Sequence, residues 1–518
     1  MNEPPDSILA APPASMSRHS AKRELARGFG WRMGATLTTS GVQFLVGIAI
    51  ARLVAPEAYG LYALISVFVM LGNSIGGVGM EQAVVQAANI EPYDLRIAFT
   101  TSTAASCLMT AILWLGADLA SPIMHEPALT PLLRWGSLAV LAQGLGAAAR
   151  GSLLRSMRFR ELAIAEVGGT VFGNAVVPLV LAVMGFGASA LVAGLIAGSA
   201  LRSVLNYAFA KHSLKPALPL DRARPLLIFG AGIASASLLN WLATRGSSAV
   251  GGIVLGVADL GLYNRGLAIA FMPVSRVFQS ASYALYPTAC RMRESAGGLE
   301  WLHLRILEAS ALTALPVSAF AVVFADSIIV GLLGSTWVGA VIVVRVLGLV
   351  LFARAAYNLQ AALLRAAGAI GWLMAAQGVY GTITTGLTWW LGSVHGLAGA
   401  SAALALGILT MFAMMTWRAS SISEVTWNAL CGSLRTGLLL GIFSFAVCLA
   451  THALCHAAQI SHLATLGIGG VTFVVTVATY LALLPESITG QLAKNALSQA
   501  WYRGKVIASQ VGIRVDRS

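Results

Sequence analysis

Seven of the arginines that stand inside long apolar runs of this sequence could carry chemistry: Arg134, Arg202, Arg245, Arg265, Arg276, Arg345 and Arg354. Two share the stretch GLYNRGLAIAFMPVSR at 261–276. Arg265 and Arg276 are eleven residues apart. On a helix that spacing leaves them only ~20° apart in direction and ~16 Å apart along the axis. Both guanidiniums therefore point to one side, with a kink expected at Pro273 between them. A charge at bilayer depth is costly and persists where it meets water, a partner or an anionic substrate. Guanidinium groups bind phosphates through paired N–H donors. The expected chemistry is thus recognition of a phosphate, pyrophosphate or acidic sugar. Arg345 and Arg354 are nine residues apart, about half a turn, so a straight helix cannot aim both at one cavity. Arg134, Arg245 and Arg265 lie near run ends, where a long side chain reaches the headgroups at little cost. Glu166 is the clearest acid within a run, and Glu81 sits near a helix end. Glu166 reads as an ion-pair partner of an arginine on a neighbouring helix, or as the carrier of a coupling proton.

The surrounding composition sets the class. Of 518 residues, 57% are hydrophobic and 10% charged, against about a quarter charged in soluble proteins. This excludes a soluble multidomain enzyme. The net charge of +13 does not point to nucleic acid, because the basic residues cluster between apolar runs. Five cysteines form no paired framework. Cys448 and Cys455 stand near His452, His456 and His462, but small apolar packing and polar loop histidines account for this group better than a metal does. The first 28 residues lack the apolar core of a secretory signal and read as a cytosolic arm.

Fourteen apolar runs are long enough to span a bilayer. They lie near 31–51, 60–80, 97–116, 131–154, 163–184, 188–209, 226–246, 261–286, 304–325, 337–364, 372–392, 396–417, 434–452 and 463–484. With the N-terminus inside, most basic connectors fall on the cytoplasmic side, which supports an even count with both termini cytoplasmic. Gly60-Leu61-Tyr62 repeats as Gly261-Leu262-Tyr263, Leu133-Arg134 as Val344-Arg345, and Leu154-Arg155 as Leu364-Arg365, at similar offsets. Six helices separate equivalent elements, so the halves share one orientation, a parallel repeat. The expected fold is an all-α polytopic membrane protein. It has an arm at 1–30, a six-helix bundle at 31–210, a linker at 211–225, a second bundle at 226–418, two further helices at 419–485 and a basic tail at 486–518.

No phosphate-binding GxxxxGK[ST] loop or HExxH motif is present, and the one GxSxG spacing, Gly72-Asn73-Ser74-Ile75-Gly76, lies inside the apolar run at 60–80. The longest outer connector, 117–130, is too short for a catalytic domain. The sequence therefore points to a transporter without a cofactor. A proton or sodium gradient, or the substrate's own gradient, supplies any drive. The surplus of arginine over acid within the runs favours an anionic cargo. Tyr263, Tyr283, Tyr286, Trp241, Trp389 and Trp390 could stack on sugar rings, or serve as an interfacial belt and core packing.

The run ARLVAPEAYGLYALISVFVMLGNSIGGVGMEQAVVQ at 51–86 resembles the opening of the polysaccharide transporter family. The similarity is strongest to Wzx-type flippases of the WzxC class, within the multidrug/oligosaccharidyl-lipid/polysaccharide exporter superfamily. ADLGLYNRGLAIAFMPVSRVFQSASYALYPTACRM at 258–292 and LLRAAG at 363–368 resemble the same class. The resemblance implies two six-helix bundles around a V-shaped cavity, two extra C-terminal helices and alternating access. Its implied cargo is a polyprenyl-pyrophosphate-linked oligosaccharide, turned from the cytoplasmic to the periplasmic face of the bacterial inner membrane for a polysaccharide polymerase and its assembly proteins. Arg265, Arg276 and Arg345 best fit its cationic lumen, with Arg354 and Arg134 as further candidates. A lipid II flippase would share these features. A cation-coupled multidrug exporter would depend on Glu166, a membrane glycan polymerase or ligase would elongate glycan, and a scaffold would transport nothing.

Overall fold

In hydrocarbon, each backbone N–H and C=O must be satisfied within its own segment, so apolar runs of about twenty residues become helices. The computed structural model describes residues 18–87, 90–217, 220–295 and 297–483 and most side chains within them, and no strand occurs among the described residues. The helices are α1 (Arg18–Leu53), α2 (Pro56–Gly76), α3 (Val78–Gln86), α4 (Pro92–Ile123), α5 (Leu129–Arg155), α6 (Phe159–Gly168), α7 (Val177–Val183), α8 (Ala188–Ala210) and α9 (Leu220–Val254). They continue as α10 (Val257–Met292), α11 (Gly298–Val323), α12 (Ala325–Leu333), α13 (Val341–Gly348), α14 (Leu351–Ala366), α15 (Ile370–Ser423), α16 (Trp427–Ala457) and α17 (His462–Leu483). A π-helical turn, Gly169–Val176, joins α6 to α7, and a 3-10 turn, Ser335–Ala340, precedes α13. α1 begins within the stretch expected as an arm. Residues 1–17 and the expected tail 486–518 lie outside the described residues.

Among the described residues, nine helices are long and apolar enough to cross a membrane, or eleven with two bent pairs counted as spans. The fourteen expected from sequence is therefore not reached by this measure. α5 and α10 have the length but fall short in apolarity, and α15 is counted once. Its 54 residues would run ~80 Å if straight, far beyond one ~30 Å crossing. The helix breaks at Gly396, where φ 55° and ψ −135° suit only a residue without a Cβ.

The chain divides into two compact units, Met1–Asn264 and Arg265–Ser518. In the first, α5 packs on α4, α8, α2 and α3, while α9 lies along α2 and α3. In the second, α11 packs on α16 and α14, α14 on α15, and α17 on α12 and α16. Membrane helices gain little from apolar contact with one another, so small residues and hydrogen bonds set their approach. Between α4 and α5, the Ser102 hydroxyl donates to the Gly144 carbonyl at 3.1 Å and Thr110 to that of Ser137 at 3.2 Å.

The repeated GLY motifs meet within the first unit. A Cβ on Gly60 would lie 1.8 Å from the Val257 carbonyl oxygen, and one on Gly261 1.9 Å from that of Pro56. Each glycine thus faces the carbonyl four residues before the other, a reciprocal contact between the first turns of α2 and α10. Gly60→Ala or Gly261→Ala should destabilise the purified protein by roughly 1–3 kcal/mol, because backbone cannot yield as a side chain can. Gly41, with nothing within 4 Å, should tolerate alanine. Thermal unfolding in one detergent checks this, and equal melting of all three variants would contradict it.

The linker expected at 211–225 starts as an extended segment strapped to α4. Arg96 donates from Nε to the Lys215 carbonyl at 3.0 Å and from Nη2 to that of Pro216 at 3.2 Å. The Ala217 amide donates to Thr100 Oγ1 at 2.9 Å. His212 is buried between Phe99 and Tyr207, with ring centroids 5.6 and 5.5 Å away. Burial pushes its pKa below the ordinary value of 6.5, against a smaller opposing effect of the Ser213 carbonyl. A depressed value means that the undocked segment takes up a proton first. Docking is therefore complete above about pH 6.5 and weakens as pH falls from there through the docked-state value. Amide exchange in 211–217, corrected for its intrinsic pH dependence, should speed up between pH 7.5 and 5.5 in the natural protein and much less in His212→Phe. An identical pH response in both would refute the assignment to His212.

Candidate anion-binding site

The seven arginines part into distinct settings. Arg134 on α5 donates to Asp118 on α4 at 2.7 Å. At the similar Val344-Arg345 motif, Arg345 on α13 pairs with Asp326 on α12. Their side chains are 36% and 47% exposed, as expected of ion pairs at span ends. Arg202 on α8 lies 3.8 Å from Glu166 on α6. A Cβ on Gly169 would come within 2.2 Å of Arg202 Cγ, so glycine makes room for this side chain across the π-helical turn. Tyr62 on α2 stands within electrostatic reach of Arg202 and of Arg245 on α9. Glu81 on α3 accepts from Arg150 on α5 through both carboxylate oxygens at 2.8 Å.

Two candidates share α10. Arg265 is half-buried and precedes Gly266, whose missing Cβ admits Val343 and the Ala340 carbonyl. Arg276 has its backbone in α10, but its side chain lies outside the described residues. α10 stays helical through Pro273.

Arg354 has a different environment from the paired arginines. Ser335–Gly348 and Leu351–Ala366 meet at a 54° bend, so the half-turn between Arg345 and Arg354 is resolved by a broken helix that gives each its own surroundings. On α14, Arg354, Tyr357 and Asn358 share one face through i, i+3 and i+4 spacing. The guanidinium lies 3.9 Å from the centroid of the Phe271 ring on α10. Its Nη1 donates to Tyr357 Oη at 3.4 Å, and the Tyr380 hydroxyl on α15 stands beside it. Asn358 Nδ2 donates to the Arg354 carbonyl at 2.7 Å, and the Asn358 carbonyl accepts from Ser282 at 3.2 Å. Among the described residues, no carboxylate lies within ion-pair distance of Arg354, and its Nε is buried without an acceptor. A cation held between aromatic groups, with in-plane donors to spare, can bind an anion.

The aromatic residues of this site were not those singled out by sequence. Tyr263 is fully buried, Trp241 donates to the Val67 carbonyl at 3.0 Å, and Trp389 and Trp390 are 54% and 62% exposed. Tyr286 is exposed, and the Tyr283 side chain lies outside the described residues. The legible signal was Tyr357, three residues from Arg354. Phe271 and Tyr380 come from other helices and left no local pattern. A second buried polar group is closed on itself: His303 Nδ1 lies 3.0 Å from Ser423 Oγ and its Nε2 3.1 Å from Gln360 Nε2. Among the described residues, no group of three His, Cys, Asp or Glu could hold a metal ion.

Comparison with known proteins agrees with this architecture. The family described as polysaccharide biosynthesis protein matches residues 49–342, more than half of the chain. The succinoglycan biosynthesis transport protein ExoT of Rhizobium meliloti (strain 1021) is 27% identical over 270 residues, 52% of this chain and 54% of that protein. The match thus spans about half the length of that relative. The lipopolysaccharide biosynthesis protein WzxC of Escherichia coli (strain K12) is 22% identical over 349 residues, 67% of this chain and 71% of that protein. Among solved structures, the lipid II flippase MurJ in an inward closed conformation superposes with a TM-score of 0.69 at 12% identity, covering 86% of this chain and 97% of MurJ. An inward-facing multidrug resistance MATE transporter of the MOP superfamily superposes with a TM-score of 0.59 at 16% identity, covering 74% of this chain and 96% of its own. These likenesses establish the fold. With nine or more helices long and apolar enough to cross a membrane among the described residues, the chain is a multi-pass membrane protein, and it belongs to the polysaccharide biosynthesis protein family.

Proposed function

We propose that the protein is a bacterial inner-membrane flippase for oligosaccharide carried on polyprenyl pyrophosphate. Cargo enters from the cytoplasmic face and leaves on the periplasmic face, where a polymerase uses it. The observation that carries this reading is the contrast among the arginines. Arg134 and Arg345 are matched by carboxylates, while Arg354 keeps its charge on an aromatic support with no carboxylate among the described residues. A transporter of anions needs such a charge, because it must offset the cost of taking pyrophosphate out of water. Relatives named for succinoglycan transport and lipopolysaccharide biosynthesis support a glycan cargo.

In this mechanism Arg354 binds the pyrophosphate, joined by Arg265 and Arg276, while the lipid tail stays in the bilayer. Arg134 and Arg345 fix helix ends. The bundles at 31–210 and 226–418 rock to expose the head group to the other face, with both termini cytoplasmic. A proton or sodium gradient biases the cycle, and the Glu166–Arg202 pair is the candidate coupling element.

The test is translocation in sealed vesicles containing the purified protein and a fluorescent polyprenyl-pyrophosphate oligosaccharide, scored by access of an external sugar-modifying enzyme. Movement should require the protein. Arg354→Ala should lower the rate at least tenfold, loss of one partner of a hydrogen-bonded charge pair costing about 2–5 kcal/mol once the bound pair is desolvated. Arg354→Lys, which keeps charge but loses the planar fork, should fall between. Arg345→Ala should stay within about twofold, since exposed ion pairs contribute roughly 0–1 kcal/mol. No protein-dependent movement, or full activity of Arg354→Ala, would overturn the proposal.

A further inference from the structure

We infer that Phe271 is a positioning residue for the transported anion, acting through Arg354; this rests on the flippase reading above. Phe271 is 5% exposed, on α10, and its ring lies under the Arg354 guanidinium at 3.9 Å from the centroid. A guanidinium within an apolar segment needs electrostatic compensation. Arg134 and Arg345 receive it from Asp118 and Asp326. A carboxylate takes up one or two of the in-plane N–H donors and offsets the charge, leaving less for a ligand. An aromatic face does neither. It attracts the cation through its quadrupole and occupies only the face of the guanidinium, so the N–H edge stays available. Tyr357 Oη takes one donor of Nη1. The buried Nε–H has no acceptor among the described residues, and it belongs to the edge that a phosphate would engage. Phe271 therefore stabilises an arginine that is poised for an anion and still charged.

This arrangement separates two roles that truncation of Arg354 removes together. Without the ring, the charge remains but its direction is lost, so affinity should suffer more than turnover. In the vesicle assay, Phe271→Leu should raise KM for the pyrophosphate-linked substrate about tenfold, the size expected of a desolvated cation–π contact, with kcat within about twofold. Phe271→Tyr and Phe271→Trp, which keep an aromatic face, should restore KM to within about threefold of the natural protein if they melt normally in detergent. Wild-type KM in Phe271→Leu would overturn the inference. So would a Phe271→Tyr variant that melts normally yet matches Phe271→Leu, because Phe271 would then be packing alone. Should Phe271→Leu fail to fold, Phe271→Met serves as the non-aromatic variant of similar size under the same criteria. Failure of this inference leaves a working flippase with an Arg354-dependent rate, whereas failure of the flippase reading removes protein-dependent movement altogether.

Discussion

A guanidinium cannot be left bare in hydrocarbon, and this constraint organises the molecule. Each arginine within an apolar run needs water, a carboxylate, an aromatic face or a ligand. One solution, a carboxylate partner, occurs at both similar sequence motifs: Arg134 pairs with Asp118 and Arg345 with Asp326. Arg202 takes up Glu166 and Arg150 takes up Glu81. Asp118, Asp326, Glu166 and Glu81 are thus engaged by arginines. Arg354 has another solution, an aromatic one, which leaves it able to serve a ligand.

The same economy governs the packing. Where apolar surface gives helices no reason to associate, the contacts form where side chains are smallest. The tripeptide that betrayed the internal repeat is where α2 and α10 touch, each glycine against a backbone carbonyl of the other. A motif noticed for its recurrence proved to be a packing requirement, which explains its recurrence without invoking chemistry. The break of α15 at Gly396 likewise turns one continuous helical trace into two rods.

Much of this was legible in the sequence because membrane helices are local objects. Length and apolarity delimit the runs, and charge marks their ends. Even the half-turn between Arg345 and Arg354 announced that a straight helix could not serve both. What stayed hidden depends on which helices meet. Asp118 and Asp326 fall just outside the apolar runs at 97–116 and 304–325, and their pairing with Arg134 and Arg345 needs tertiary structure. Phe271 was one apolar residue among many until α10 met α14. The aromatic residues chosen from sequence were chosen for size and location, and Trp389 and Trp390 are largely exposed, whereas Phe271 matters for what it faces. The span count suffers for a related reason. α10 is too polar to qualify by hydropathy, and its charges are the ones that the proposed transport requires.

The central claim is that charge on the cargo, met by arginine, is what the protein recognises. The most direct measurement compares two cargoes in vesicles containing the unmodified protein. They carry the same oligosaccharide and the same polyprenyl chain, one joined through pyrophosphate and the other through an uncharged ether. The account predicts that the pyrophosphate-linked form crosses at least tenfold faster and that excess ether-linked lipid does not compete with it. Equal rates for the two would contradict the account, since the arginines would then contribute nothing to recognition.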